Sequence, residues 1–184
     1  MAKDEKQILQ EVRQAYEKHE IKAFFQPIYD ALSGELVCGE ALSRWMKADG
    51  TMVMPGEYIP VLEATEAICD LDWYMLNEVC RVLKEQADAG GPCVKISVNF
   101  SRKHIPDETF INKLCKTTEA YGVSHKLIQV ELTESALIDN SMEQVGAFVG
   151  KIRNEGFSVA VDDFGTGMSS LGMVKDVAFD TLKI

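Results

Sequence analysis

The sequence predicts an α/β fold built on a parallel β-sheet, and three observations carry that prediction. Short apolar runs of strand type alternate with amphipathic helical stretches, as in 94–98, 108–120, 127–132, 141–154 and 157–161. Such alternation pairs strands in parallel through right-handed helical crossovers. Oxygen-bearing side chains recur at the strand ends, with Asn99, Glu131 and Asp162 spaced 32 and 31 residues apart, one strand–helix unit each. Finally, 184 residues with 46% hydrophobic content suffice for a sizeable core in one domain, assigned here to residues 1–184.

Residues 1–20 hold an N-terminal amphipathic helix over 4–18. Ile8, Leu9, Val12, Ala15 and Tyr16 share one face, and Asp4 with Gln7 has the spacing of a capping box. Ile21–Tyr29 reads as a strand, and Ser33-Gly34 turns it into a second, 35–42. Pro55 opens a short helix. A longer helix over 71–89 carries Trp73, Leu76, Val79, Cys80 and Leu83, and Gly90-Gly91 stops it. The alternation follows, with Gly156 ending the helix over 141–154, a short helix after Asp163, and a final strand at 181–184.

Composition narrows the function. Net charge is −10, which argues against a nucleic-acid polymer or an anionic membrane surface as partner. A phosphate ligand remains compatible if metal ions supply positive charge locally. No apolar run approaches the roughly 20 residues of a bilayer span, and the N-terminus is too polar for a secretory signal. Cys38, Cys69, Cys80, Cys93 and Cys115 are odd in number and lack Cys-x-x-Cys spacing. Reduced, mostly buried thiols in a cytoplasmic protein are expected. His19, His104 and His125 are not at ligand spacing, which argues against a zinc–histidine site.

The chemistry gathers at the strand ends. Asp162-Asp163-Phe164-Gly165-Thr166-Gly167 follows the apolar run 157–161. Adjacent carboxylates near a core repel and lose hydration, so they persist there with a cation or proton to compensate. Taken singly, each acid has a simpler reading. Asp162 and Asp163 could cap a turn, Glu40 could be an exposed strand residue, Glu131 and Glu134 helix-start acids, and Asn99 an Asx-turn. Together they place hard oxygens at one pole of the sheet, which suits Mg²⁺ or Mn²⁺, with Ca²⁺ as an unproductive competitor. Arg44 could clamp a phosphate or form a surface ion pair. Lys183 could face the acids or lie in a frayed end. Carboxylates with Arg and Lys alongside point to hydrolysis of a phosphodiester.

The motifs Gln26-Pro27-Ile28, Glu40-Ala41-Leu42-Ser43-Arg44-Trp45, Val98-Asn99-Phe100-Ser101, Glu131-Leu132-Thr133-Glu134, Asp162-Asp163-Phe164-Gly165-Thr166-Gly167 and Thr181-Leu182-Lys183-Ile184 strongly resemble the EAL domain. That family comprises bacterial phosphodiesterases that linearise cyclic di-GMP. The resemblance implies a modified (β/α)8 TIM barrel whose first strand runs antiparallel. It implies that Glu40, Asn99, Glu131 and Asp162 hold one metal, and that Asp162 bridges to a second joined by Asp163. A water between the metals would be deprotonated and attack phosphorus in line, giving linear pGpG. By the same resemblance Lys183 orients or deprotonates that water, Arg44 clamps phosphate, and Gln26 and Leu42 line the ligand cleft. Glu134 would tether loop 163–170 and couple metal binding to a homodimer interface.

A full barrel of this kind runs to about 250 residues, so the chain is expected to lack roughly its last two βα units. The Asp usual after Lys-Ile, a seventh-strand Glu of the second metal site and an eighth-strand Gln would fall there. One retained metal, near-zero cyclic di-GMP turnover by this stretch alone and self-association are therefore expected, as is mobility of loop 163–170. Met168 replaces a common Tyr. Two alternatives stand beside the enzyme: a non-catalytic EAL module serving as cyclic di-GMP receptor or interaction domain, and an unrelated Mg²⁺-dependent barrel.

Overall fold

In the computed structural model, residues 4–134, 140–163 and 177–183 are described. The first helix, α1 (Glu5–Glu17), buries Val12 and Ala15, with Ile8, Leu9 and Tyr16 packed against the core. Strands β1 (Ile21–Tyr29) and β2 (Leu36–Met46) form an antiparallel hairpin. Its turn is fixed by Asp30, whose Oδ1 accepts from the backbone N–H of Leu32 at 3.0 Å and of Ser33 at 2.7 Å. Then follow β3 (Met52–Val53), α2 (Pro55–Glu63), α3 (Ala67–Asp88), β4 (Lys95–Asn99), α4 (Phe110–Ala120), β5 (Ile128–Thr133), α5 (Met142–Asn154), β6 (Ser158–Asp162) and β7 (Thr181–Leu182).

The strands pair in the order β1-β2-β4-β5-β6-β7, with β3 hydrogen-bonded to β2. From β2 onward along this path every pairing is parallel. The expected α/β architecture with an antiparallel first strand is therefore the observed one.

Register decides what each face carries. Glu40 pairs with Ser97, Asn99 with Glu131, Glu131 with Ala160, and Ala160 with Thr181. Paired residues share a face, as do residues two apart along a strand. One continuous face thus holds Glu40, Ser97, Asn99, Glu131, Asp162 and Lys183. Successive strands are staggered by two residues where the pattern steps from Ser97 to Asn99 and from Ala160 to Asp162, the shear a curving barrel sheet requires. The alternate set, Val98, Val130, Leu132, Val159 and Val161, is fully buried in the core cluster with Leu76, Val79, Leu114 and Ile152 of the helices. The apolar side of each strand meets the helices, and the polar side meets the barrel interior.

Several boundaries differ from expectation. β2 runs on to Met46 because β1 pairs with it as far as Ile21↔Trp45 and β3 pairs with Trp45 and Met46. Glu40, Leu42 and Arg44 therefore lie within the strand. Glu131 also lies within its strand, since β5 continues to Thr133 opposite Asp162; Asn99 and Asp162 do end theirs. The Asp4 side chain makes no capping bond, and Gln7 instead donates to Glu11 at 2.9 Å. A capping box does form at α5, between Ser141 and Gln144. The helix expected after Asp163, all of loop 163–170 but Asp163 itself, and Ile184 lie outside the described residues. The five cysteines are free thiols, of which Cys38 and Cys80 are buried.

Candidate metal centre

Four strands bring their oxygen ligands together. Carboxylate oxygens of Glu40 (β2), Glu131 (β5) and Asp162 (β6) lie within 4.8 Å of one another. Asn99 (β4) joins them, its Nδ2 donating to Glu40 Oε1 at 3.3 Å. Lys183, directly after β7, reaches across the sheet. Its Nζ donates to Glu40 Oε2 at 2.7 Å and to both oxygens of Glu131 at 2.6 Å. Its backbone N–H is fixed to Val161 O at 2.8 Å, so the strand pairing aims the side chain at the acids.

Electrostatics explain this arrangement. Glu131 is fully buried at 0% exposure. Burial pushes its carboxyl above the ordinary glutamate value, against the lowering effect of hydrogen bonds from Lys183 and Ser97. For Lys183, desolvation favours the neutral amine, but the bonds to Glu131 and Glu40 outweigh it and hold the ammonium above the ordinary lysine value. The ammonium is the cation that makes the buried carboxylate tolerable. Three carboxylates and an amide carbonyl, with no sulfur or imidazole among them, form a hard oxygen set that fits a divalent cation such as Mg²⁺ or Mn²⁺.

The remaining predicted residues fall around this centre. Asp163 follows Asp162 with φ 55°, a left-handed conformation that turns the chain sharply off the strand. Leu42 and Arg44 line a cavity of about 350 Å³ that also takes in Asn99, Arg102, Lys103 and Asp72. Arg44 is braced by a bond from its Nη1 to Ser43 O at 2.8 Å. Gln26 stands opposite Glu40 in the hairpin register and is exposed, apart from that cavity's lining. Glu134 is buried at the end of β5, whereas nearly all of the loop it was expected to tether lies outside the described residues.

Two residues of the site escaped the sequence reading. Ser97 donates from Oγ to Glu131 Oε2. Asp72, buried on the apolar stripe of α3, accepts from the Ser101 backbone N–H at 2.8 Å and meets His104 Nε2 at 3.0 Å. That brace fixes the segment leaving Asn99. The available signals were a polar residue in phase with Asn99 inside a strand, and an acid within a helix's apolar face.

An antiparallel hairpin leading a parallel sheet, with acids, an amide and a lysine at one pole, is an α/β architecture whose acidic cluster could hold a metal ion. Residues 9–184 match the model of the EAL domain, and the chain belongs to that family. It is 31% identical over 183 residues to the cyclic di-GMP phosphodiesterase NbdA of Pseudomonas aeruginosa, covering 100% of this chain and 23% of NbdA. It is 30% identical over 173 residues to the signaling protein YkoW of Bacillus subtilis, covering 94% of this chain and 21% of YkoW. The chain thus spans less than a quarter of these relatives. Among solved structures, the PaMucR phosphodiesterase in complex with c-di-GMP superposes with a TM-score of 0.86 at 28% identity, over 97% of this chain and 72% of that one. The FimX EAL domain of Xanthomonas citri, at 18% identity and TM-score 0.85 over 98% of this chain and 69% of that one, shares the fold.

Proposed function

We propose that this EAL domain hydrolyses cyclic di-GMP to linear pGpG in a divalent-metal-dependent reaction, as part of bacterial second-messenger signalling. The single observation that carries the reading is the convergence of Glu40, Asn99, Glu131, Asp162 and Lys183 on one pole of the sheet, beside a cavity lined by Arg44. Family membership and phosphodiesterase relatives support it.

Glu40, Asn99, Glu131 and Asp162 would hold one Mg²⁺ or Mn²⁺, and Asp162 with Asp163 would face a second. Bound there, divalent cations polarise the phosphoryl oxygens and acidify the attacking water. The protein's own groups do the rest. Arg44 and the neighbouring Arg102 and Lys103 supply positive charge to a bis-anionic ligand in an otherwise acidic chain. Lys183, already bonded to two of the acids, sits where it can orient the nucleophilic water. To take up that water's proton it must first be the neutral amine, the ammonium having released its own proton to solvent once a divalent ion relieves it of its pairing role. Asn99 borders both the acids and the cavity, so it ties ligand position to cation position. The five cysteines are free thiols, and among the described residues no helix is long and apolar enough to cross a membrane; action in the cytoplasm belongs to the same proposal. Self-association into a homodimer belongs to the same proposal.

Incubation of cyclic di-GMP with the protein and Mn²⁺, followed by chromatography of the nucleotides, tests the reading. We expect pGpG to accumulate where the EAL barrel is complete, and to stop accumulating with a chelator or in Glu40→Ala. Tight cyclic di-GMP binding without turnover, in the presence of bound metal, would favour a receptor instead.

A further inference from the structure

The cation set rests on a buried hydroxyl. Ser97 lies in β4 between Ile96 and Val98, paired in register with Glu40, and is 0% exposed. Its Oγ donates to Glu131 Oε2, and Glu131 is likewise 0% exposed. A hydroxyl sealed inside a strand without an acceptor costs about 1–3 kcal/mol, so packing alone would be better served by alanine. The carboxylate is its acceptor.

We propose that Ser97 is a positioning residue for the metal centre: it fixes the Glu131 carboxylate in the orientation that presents an oxygen to the cation. The inference rests on the metal-site reading above. Glu131 takes its other hydrogen bonds from Lys183, a long side chain that a divalent ion would have to displace from the acids. Ser97, by contrast, is held by the β4–β5 pairing, where Asn99 stands directly opposite Glu131. A short side chain on a buried strand loses little freedom in making its bond. The Ser97 contact therefore persists when Lys183 moves, and keeps the carboxylate from rotating as the cation enters. A neighbouring contact in the same interior layer, Gln129 Nε2 to Thr181 Oγ1 at 3.0 Å, ties β5 to β7 and maintains the spacing across which Lys183 reaches.

Titration calorimetry with Mn²⁺ alone tests the proposal in the wild-type protein, Ser97→Ala and Ser97→Thr. The control is Thr118→Ala, which removes an equally buried hydroxyl that bonds only to backbone of its own helix. Loss of a group that orients a metal ligand typically weakens affinity by about 10- to 100-fold, and we expect Ser97→Ala to fall near the lower end. Ser97→Thr should restore most of the affinity, and Thr118→Ala should lower thermal stability while leaving Mn²⁺ affinity unchanged. Wild-type affinity in Ser97→Ala, or equal weakening in Ser97→Ala and Thr118→Ala, would overturn the positioning role. Absence of saturable Mn²⁺ binding by the wild-type protein would overturn the metal reading, and this inference with it.

Discussion

Replacing Lys183 by methionine isolates the electrostatic logic of the site. The substitution keeps the apolar stem and removes the ammonium that now bonds Glu40 at 2.7 Å and Glu131 at 2.6 Å. Unit charges about 4 Å apart attract by about 4 kcal/mol at an effective dielectric of about 20. Removing one partner of a buried pair costs about 3–5 kcal/mol, because the remaining charge stays buried without compensation. The Lys183 side chain is 16% exposed and Glu131's is 0%, so the cost should sit at the lower end, about 3 kcal/mol. Urea denaturation of the metal-free protein should show that loss. Saturating Mn²⁺ should restore most of it, since a divalent ion can neutralise the same carboxylates. The variant should also gain Mn²⁺ affinity relative to the wild-type protein, because no internal cation competes. An unchanged midpoint without metal, or a Mn²⁺-induced gain no larger in Lys183→Met than in the wild type, would refute this reasoning.

Further expectations follow from the same geometry. Burial holds the Glu131 carboxyl above the ordinary glutamate value, so on acidification it protonates before an exposed glutamate does. A ligand carboxylate must be deprotonated, hence Mn²⁺ affinity should fall as pH drops toward that range and return as pH rises; calorimetry across pH would expose a flat profile as a contradiction. Arg44→Ala should weaken cyclic di-GMP binding by about tenfold, the worth of a charge-assisted hydrogen bond, while leaving Mn²⁺ affinity intact, since Arg44 lines the cavity and not the acid set. Leu76→Ala, at a fully buried position in α3, should destabilise by about 2–5 kcal/mol through the cavity it leaves, without altering Mn²⁺ affinity per folded molecule.

Much of this was legible because period-two alternation and strand–helix spacing are local properties. Val98, Val130, Leu132 and Val161 announce strands, and the residues in phase with Asn99, Glu131 and Asp162 had to share the opposite face. What local pattern could not supply was pairing. β2 ends four residues later than its apolar pattern suggests because β1 and β3 extend it, which moves Arg44 inside a strand. Ser97 showed only its phase with Asn99 inside a strand, since its partner Glu131 is set by β4 lying beside β5. Asp72 interrupts the apolar face of α3, and its partners, the Ser101 amide and His104, lie 29 and 32 residues away. Gln26 pairs with Glu40 and so shares the face of the acids, where it is exposed. The roles of Lys183, Arg44 and Glu134 came from the family resemblance. For Lys183 the geometry adds the contacts with Glu40 and Glu131 that such a role needs.

In the proposed site, Glu40, Asn99, Glu131 and Asp162 hold one divalent cation, and Lys183 occupies its place among the acids. A crystal soaked in Mn²⁺, with diffraction data collected for anomalous scattering, addresses it most directly. An anomalous peak is expected about 2.0–2.4 Å from oxygens of all four residues, with the Lys183 ammonium withdrawn from between Glu40 and Glu131. A Mn²⁺ peak elsewhere on the molecule, or these four residues still closed around Lys183 at saturating Mn²⁺, would contradict it.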